Sequence, residues 1–341
     1  MTRPAADAAI AAAVTALAAG EAIGLPTETV YGLAADAANR QAVARIYRIK
    51  GRPTDHPLIV HVLDDARARL WGEWTDAAQR LADAFWPGPL TIVLKRRVEA
   101  PAWACAGQST IALRAPSHPV ARRLMTALVD AGITGLAAPS GNRFGRVSPT
   151  SAAHVRADLG EEVAIVLEGG AAKVGIESTI VDLSRNRPVL LRPGHIGAHE
   201  LAAVLGEPVG SPDSAAPRVP GSLPSHYAPV TPLRLVPADR LAEVVRAELA
   251  AGRTLAVWSV DGALAESLAG VGTRGRGDQG GLARPLTWRA RPESVVAMER
   301  ELYRALRELD ALKADLIVVE APPAAADWFA INDRLLRASA R

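Results

Sequence analysis

Between Glu207 and Pro232 the chain reads EPVGSPDSAAPRVPGSLPSHYAPVTP, and seven of those 26 residues are proline. Proline lacks a backbone donor and fixes its own φ, so neither a helix interior nor a central strand runs through this stretch. It reads as a stiff linker crossing between two domains. Length agrees, because single cores stop growing well below the 341 residues present. The expected division is a first domain at 1–206, the linker at 207–232 and a second domain at 233–341.

Ahead of the linker, helical and strand-like patterns mix. Helices are expected near 7–19 and 39–50, and strands at 21–25, 58–62 and 90–95. The clearest pair is the strand 109–114 followed by a helix from Pro119 to Val129, with Ser117 as its expected cap. ESTIVDL and PVLLR flank SRNR and read as a hairpin. Together they predict an α/β domain with a twisted, open mixed sheet. Beyond the linker, LRLV, LAVWSV, PLTW and DLIVVE alternate with helical patterns, the longest from Pro292 to Lys313. Such alternation predicts a smaller, Rossmann-like parallel α/β domain. Gly270, Gly272 and Gly275 spell the dinucleotide fingerprint G-x-G-x-x-G, but they come after a helical pattern and run on into RGDQGG. A true fingerprint leaves a strand and opens a helix, so this one is set aside.

Composition narrows the function classes. The net charge is +3, 35 of the 39 basic residues are arginine, and no block of like charge exceeds three residues. A nonspecific nucleic-acid surface is not indicated; a patch assembled by folding, and with it a weak RNA contact, stays open. The single cysteine, Cys105, rules out an intramolecular disulfide framework and fits a reducing cytoplasm. The alanine-rich start is read as an amphipathic helix, since Asp7 opens it, Ile10, Val14 and Leu17 form one stripe and Gly20 ends it. No apolar run has membrane-spanning length.

Chemistry-bearing residues gather at loops. In IYRIKGRPTDHPLIVHV, Lys50 and Arg52 bracket a helix-ending glycine, and Pro53 and Pro57 stiffen the loop leading to the strand. Pinned cations can give charge-assisted hydrogen bonds to phosphate, although a solvated helix terminus would look the same. In GLPTETVYGLAADA a short strand runs into Pro26 and displays Thr27, Glu28, Thr29 and Tyr31. STIALRAP places Thr110, Ala112 and Arg114 on one face; a buried Arg114 needs either an internal carboxylate or an anionic ligand. APSGNRFGRVSPTS offers Ser140, Asn142 and Ser148, of which Ser148, like Thr150, could instead cap the next helix. Ser178 and Arg192 stand near the ends of apolar runs, and His61 interrupts one. There is no Walker A loop, H-E-x-x-H, paired-cysteine zinc pattern or G-x-S-x-G elbow. No metal cage is expected, and a magnesium ion arriving with a nucleotide would need few protein ligands.

In order and spacing, PTETVYGL, KGRPTDHPLIVHV, FWPGPLTIVL, STIALRAP, APSGNRFGRVSPT and GIESTIVDLS with VLLRPG resemble the YrdC/YciO-like family over about residues 10–206. PGSLPSHYAP and INDRLLRA are similar to the long, two-domain form of the threonylcarbamoyl-AMP synthases. The resemblance puts the family's K-x-R and S-x-N signature on Lys50, Arg52, Ser140 and Asn142, as the catalytic, ATP-binding cleft. It adds His56, Thr110, Ser148, Arg192 and Tyr227 as nucleotide contacts. Position 56 is often asparagine in relatives. Around L-threonine it implies Thr29, His61, Arg114, Ser178 and the backbone at Ala138.

The implied reaction joins L-threonine, bicarbonate and ATP, with its Mg2+, into threonylcarbamoyl-AMP and pyrophosphate in the cytoplasm. The product would pass to the tRNA threonylcarbamoyl transferase machinery. The alternative from another class is an RNA-binding or ribosome-assembly module of the same fold. The joint presence of Lys50, Arg52, Ser140, Asn142 and the HYAP segment favours the enzyme.

Overall fold

The computed structural model describes residues 3–260 and 286–340. They fall into two units, Met1–Phe144 with Ser148–Leu223, and Gly145–Val147 with Pro224–Arg341. Among the described residues no helix is long and apolar enough to cross a membrane.

The first unit is built on an eight-stranded sheet. Its strands are β1 (Ile23–Leu25), β2 (Gly32–Asp36), β3 (Ile59–His61), β4 (Leu90–Lys95), β5 (Thr110–Arg114), β6 (Leu136–Ala137), β7 (Thr179–Asp182) and β8 (Val189–Arg192). They lie in the order β1-β2-β6-β3-β5-β4-β7-β8, with β3–β5 and β4–β7 parallel and the other pairs antiparallel. The sheet is mixed, as the sequence predicts. Strand β2 has no counterpart in the sequence reading, because GLAAD contains no β-branched or aromatic residue to announce a strand.

Helices cover this sheet; on the first, Ile10 and Leu17 of the expected stripe are buried, with Ala13 buried beside them and Val14 half-buried. In α1 (Arg3–Ala18), Ile10, Ala13 and Leu17 pack on Leu124, Met125 and Leu128 of α3 (Pro119–Asp130). In α2 (Arg40–Lys50), Val43 and Ile46 join Leu33, Val60, Ile92 and Leu113 in the main core. Each such aliphatic side chain contributes roughly 1.5–3 kcal/mol on burial. Two caps differ from expectation. The His118 ring, not Ser117, accepts from Val120 N at 3.2 Å to start α3. Ser151, rather than Ser148 or Thr150, caps the helix Ala152–Leu159.

The proline-rich stretch divides at Leu223, so that its first part clusters with the first unit. Gly210 bridges Val189 of β8, and Val219 packs on Ile59, Val93, Ala112 and Ile180. Missing donors are no handicap to a segment whose task is to lie over side chains.

The second unit carries four parallel strands, β9 (Leu233–Val236), β10 (Leu255–Ser259), β11 (Leu286–Ala290) and β12 (Leu316–Glu320), in the order β11-β10-β12-β9. Leu241 and Val245 of the helix Ala238–Ala250 pack on Val236, Leu255, Val257, Leu316 and Val318. Here too the parallel α/β reading holds. Tyr227 sits in this unit with a φ of 60°, its ring 5.6 Å from Tyr303 and the Arg334 guanidinium 5.4 Å away. The G-x-G-x-x-G at 270–275 lies outside the described residues.

Candidate active site

Helix α2 is bounded by Asn39, whose side chain accepts from Gln41 N and Ala42 N, and by Gly51 at a φ of 62°. Only a left-handed residue can turn the chain there, and glycine does so without penalty. Lys50, the last helical residue, is thereby directed inward and is 2 % exposed. Its ammonium donates to the carbonyls of Ser140 and of Asn142, the latter at 2.5 Å. Phe144 N donates to Lys50 O at 2.9 Å, and the Arg143 guanidinium donates to Ile49 O. The loop carrying Ser140 and Asn142 is therefore sewn onto the end of α2. Burial first, and Arg52 second, hold the Lys50 amine well below the usual lysine range. The sequence reading set Lys50 against phosphate; in the structure its Nζ bonds the backbone of this loop.

Arg52 donates to Pro57 O at 2.9 Å and lies 5.7 Å from the centre of the Phe144 ring. His56 meets that ring edge-on at 5.4 Å. Burial, then Arg52, lower the His56 imidazole, which favours its neutral form beside the cation. The signature residues Lys50, Arg52, Ser140 and Asn142 are brought together, with His56 beside them.

A second group stands on the sheet. Period-two alternation puts Ile59 and His61 of β3, Ala112 and Arg114 of β5 and Thr91 and Val93 of β4 on the face opposite the main core. His61 pairs in register with Arg114, so imidazole and guanidinium are lateral neighbours. Arg114 is 3 % exposed and tied to the turn after β1. It donates to Glu28 Oε1 at 2.6 Å, to Thr29 Oγ1 at 2.8 Å and to Gly88 O at 3.3 Å. The carboxylate partner that a buried strand arginine needs is Glu28. Burial alone would raise the Glu28 carboxyl, but Arg114 outweighs it and the net direction is down. His61 is pushed down to about 3, by burial first, then Arg114, with a smaller push from Arg192. It is neutral, and both arginines border it.

Arg192 donates to the carbonyl and hydroxyl of Ser178 and to Pro220 O. Thr91 Oγ1 lies 2.7 Å from Ser178 Oγ. Ser148 is wholly buried and donates to Glu177 Oε1 at 2.6 Å. Ala138 N donates to Ile59 O at 3.0 Å, setting its backbone beside β3, and Thr110 opens β5 opposite Lys95. Sequence reasoning missed Thr91 and Glu177 altogether, and noted Glu28 without a role. The one available signal was electrostatic: a strand arginine demands a carboxylate, and Glu28 stands in the neighbouring polar turn. Among the described residues no group of three or more His, Cys, Asp or Glu stands together to hold a metal ion. The arrangement is a set of fixed cations and hydroxyls around an apolar floor, suited to holding anionic and zwitterionic ligands.

A family model described as telomere recombination, covering Sua5, YciO and YrdC, matches residues 15–194. A second, described as threonylcarbamoyl-AMP synthase, C-terminal domain, matches residues 196–340. The chain belongs to the Sua5/YciO/YrdC family. This family member is 37 % identical to the threonylcarbamoyl-AMP synthase of Bacillus subtilis, over 98 % of its own length and 93 % of that protein's. It is 34 % identical to the threonylcarbamoyl-AMP synthase of Pyrococcus abyssi, over 94 % and 91 % of the two chains. The crystal structure of P. abyssi Sua5 complexed with L-threonine superimposes with a TM-score of 0.83 at 32 % identity, covering 97 % of this chain and 94 % of that one.

Proposed function

We propose that this family member is an L-threonylcarbamoyladenylate synthase, forming threonylcarbamoyl-AMP and pyrophosphate from L-threonine, bicarbonate and MgATP. The observation that carries the reading is the pairing of His61 with Arg114, beside Thr29. It supports reading this part of the sheet as an amino-acid subsite, on a chain whose relatives bear that enzyme's name along nearly their whole length.

In the proposed reaction the neutral threonine amine attacks bicarbonate, a C–O bond breaks and water leaves to give the carbamate, and a carbamate oxygen then attacks the α-phosphorus of ATP as pyrophosphate leaves. A carbamate oxygen is already anionic, so the chemistry needs positioning and charge neutralisation more than a strong base. Arg114 keeps an N–H on each terminal nitrogen beyond its bonds to Glu28 and Thr29, and these would receive the substrate carboxylate. Arg52, with the loop shaped by Lys50, would offset charge developing on the phosphates. Magnesium enters bound to ATP, as part of the substrate. The product serves a separate transferase that modifies tRNA, and a cytoplasmic location goes with this reading.

The test is incubation of the purified protein with MgATP, radiolabelled bicarbonate and L-threonine. Threonine-dependent release of pyrophosphate with label in an adenylate is expected. Release that ignores threonine, or tight RNA binding with no release, overturns the proposal.

A further inference from the structure

The turn that holds Arg114 has a fixed polarity. Thr27 Oγ1 donates to Val30 O at 2.6 Å, which uses its one hydrogen, since a carbonyl can only accept. In the 2.9 Å contact between Thr27 and Thr29, the donor must therefore be Thr29. Thr29 Oγ1 in turn accepts from Arg114 at 2.8 Å. Its hydrogen is committed and what it has left is a lone pair. The chain starts at Glu28, which takes a 2.6 Å bond from Arg114 on one oxygen and a 3.0 Å bond from Ser117 N on the other. Glu28 is 5 % exposed, and its backbone carbonyl is held by Val174 N at 2.7 Å. A carboxylate residue fixed at two points besides Arg114 dictates where the guanidinium lies.

We propose that Glu28 is a positioning residue of the amino-acid subsite: it aims Arg114 at the substrate carboxylate, beside the acceptor that Thr27 makes of Thr29, and balances the charge of Arg114. The inference rests on reading Arg114 as the carboxylate site. Its consequence is selectivity of charge type. Glu28 and Arg114 together are neutral, which matches a zwitterion carrying one ammonium and one carboxylate. Arg114 alone would favour any simple carboxylate.

Threonine and 3-hydroxybutanoate, which is threonine without its amino group, separate the two cases. In Glu28→Gln the KM for L-threonine is expected to rise at least about tenfold, with the KM for ATP unchanged. The inhibition constant of 3-hydroxybutanoate should change less than about threefold, so the preference for the zwitterion collapses. Glu28→Asp keeps the charge and should preserve the ratio of the two constants, while raising the KM for threonine. Equal losses for both ligands in Glu28→Gln would mark a merely structural residue and overturn the inference. If that variant does not fold, Glu28→Asp decides alone, and a shifted ratio overturns the inference. A wild-type protein indifferent to threonine sinks the functional reading instead, which keeps the two failures apart.

Discussion

Arg192 donates twice to Ser178, from Nε to the backbone carbonyl and from a terminal nitrogen to the hydroxyl, each at 3.0 Å. A rigid planar fork holds both acceptors at once and still reaches Pro220 O, whereas a lysine ammonium is a point charge on a flexible stem, so Arg192→Lys is not a conservative change here. The expected loss is about 1.5–3 kcal/mol of stability, from hydrogen bonds to a buried charged group. Urea unfolding measures it, and a wild-type midpoint would show that the fork contributes nothing.

Lys50→Met should separate shape from stability. The variant no longer buries an amine, which favours folding, but leaves the carbonyls of Ser140 and Asn142 without their donor. Thermal stability is expected to change little, while the 140–144 loop loosens and kcat/KM for ATP falls by about tenfold or more. Hydrogen exchange of the loop amides checks this. Unchanged protection there would leave Lys50 as a phosphate ligand only.

His61 makes the fold sensitive to acid. Its value in the folded protein is about 3, against 6.5 for a free histidine. Between those two values the unfolded chain binds more protons, so stability rises with pH in that window and is lost as pH falls from 6.5 toward 3. Going from pH 7 to pH 5 should remove about 2 kcal/mol through this residue, a contribution absent in His61→Gln. Urea titrations of both proteins at the two pH values decide it; equal acid losses would assign the effect elsewhere.

Gly194 leaves no room for a side chain. A Cβ there would strike the backbone nitrogen of Thr179 and lie 2.8 Å from the carbonyl carbon of Ser178. Gly194→Ala should therefore cost about 1–3 kcal/mol and displace Ser178, raising the KM for threonine more than that for ATP. A variant with both KM values unchanged would show that Ser178 tolerates the shift.

Local rules govern the features that were legible in the sequence. The stop at Gly51, the alternation that sets Arg114 beside Ala112 on one face, and the hairpin of β7 and β8 come from glycine chemistry and strand period. The partners of buried polar groups were not legible, because they come from tertiary proximity: Glu177 is 29 residues from the Ser148 it binds, and Asn142 is 92 from Lys50. Ser117 looked like a cap by residue type, yet its amide is taken by Glu28, and His118 supplies the cap instead. Strand β2 was missed because alanine and leucine in a short run carry no strand signature, and its partner β6 supplies only two residues.

The strand order β1-β2-β6-β3-β5-β4-β7-β8 also dictates when the site can come into being. Arg114 and Thr29 are 85 residues apart, and the loop that Lys50 sews down is made long after α2 has left the ribosome. Closing such long loops is slow, so these contacts form late in folding. A nascent chain has no complete site until Ser178, Arg192 and Pro220 have all been synthesised. Emerging fragments thus expose Arg114 and the apolar floor beneath it, and this is the stage at which the protein most needs protection from aggregation.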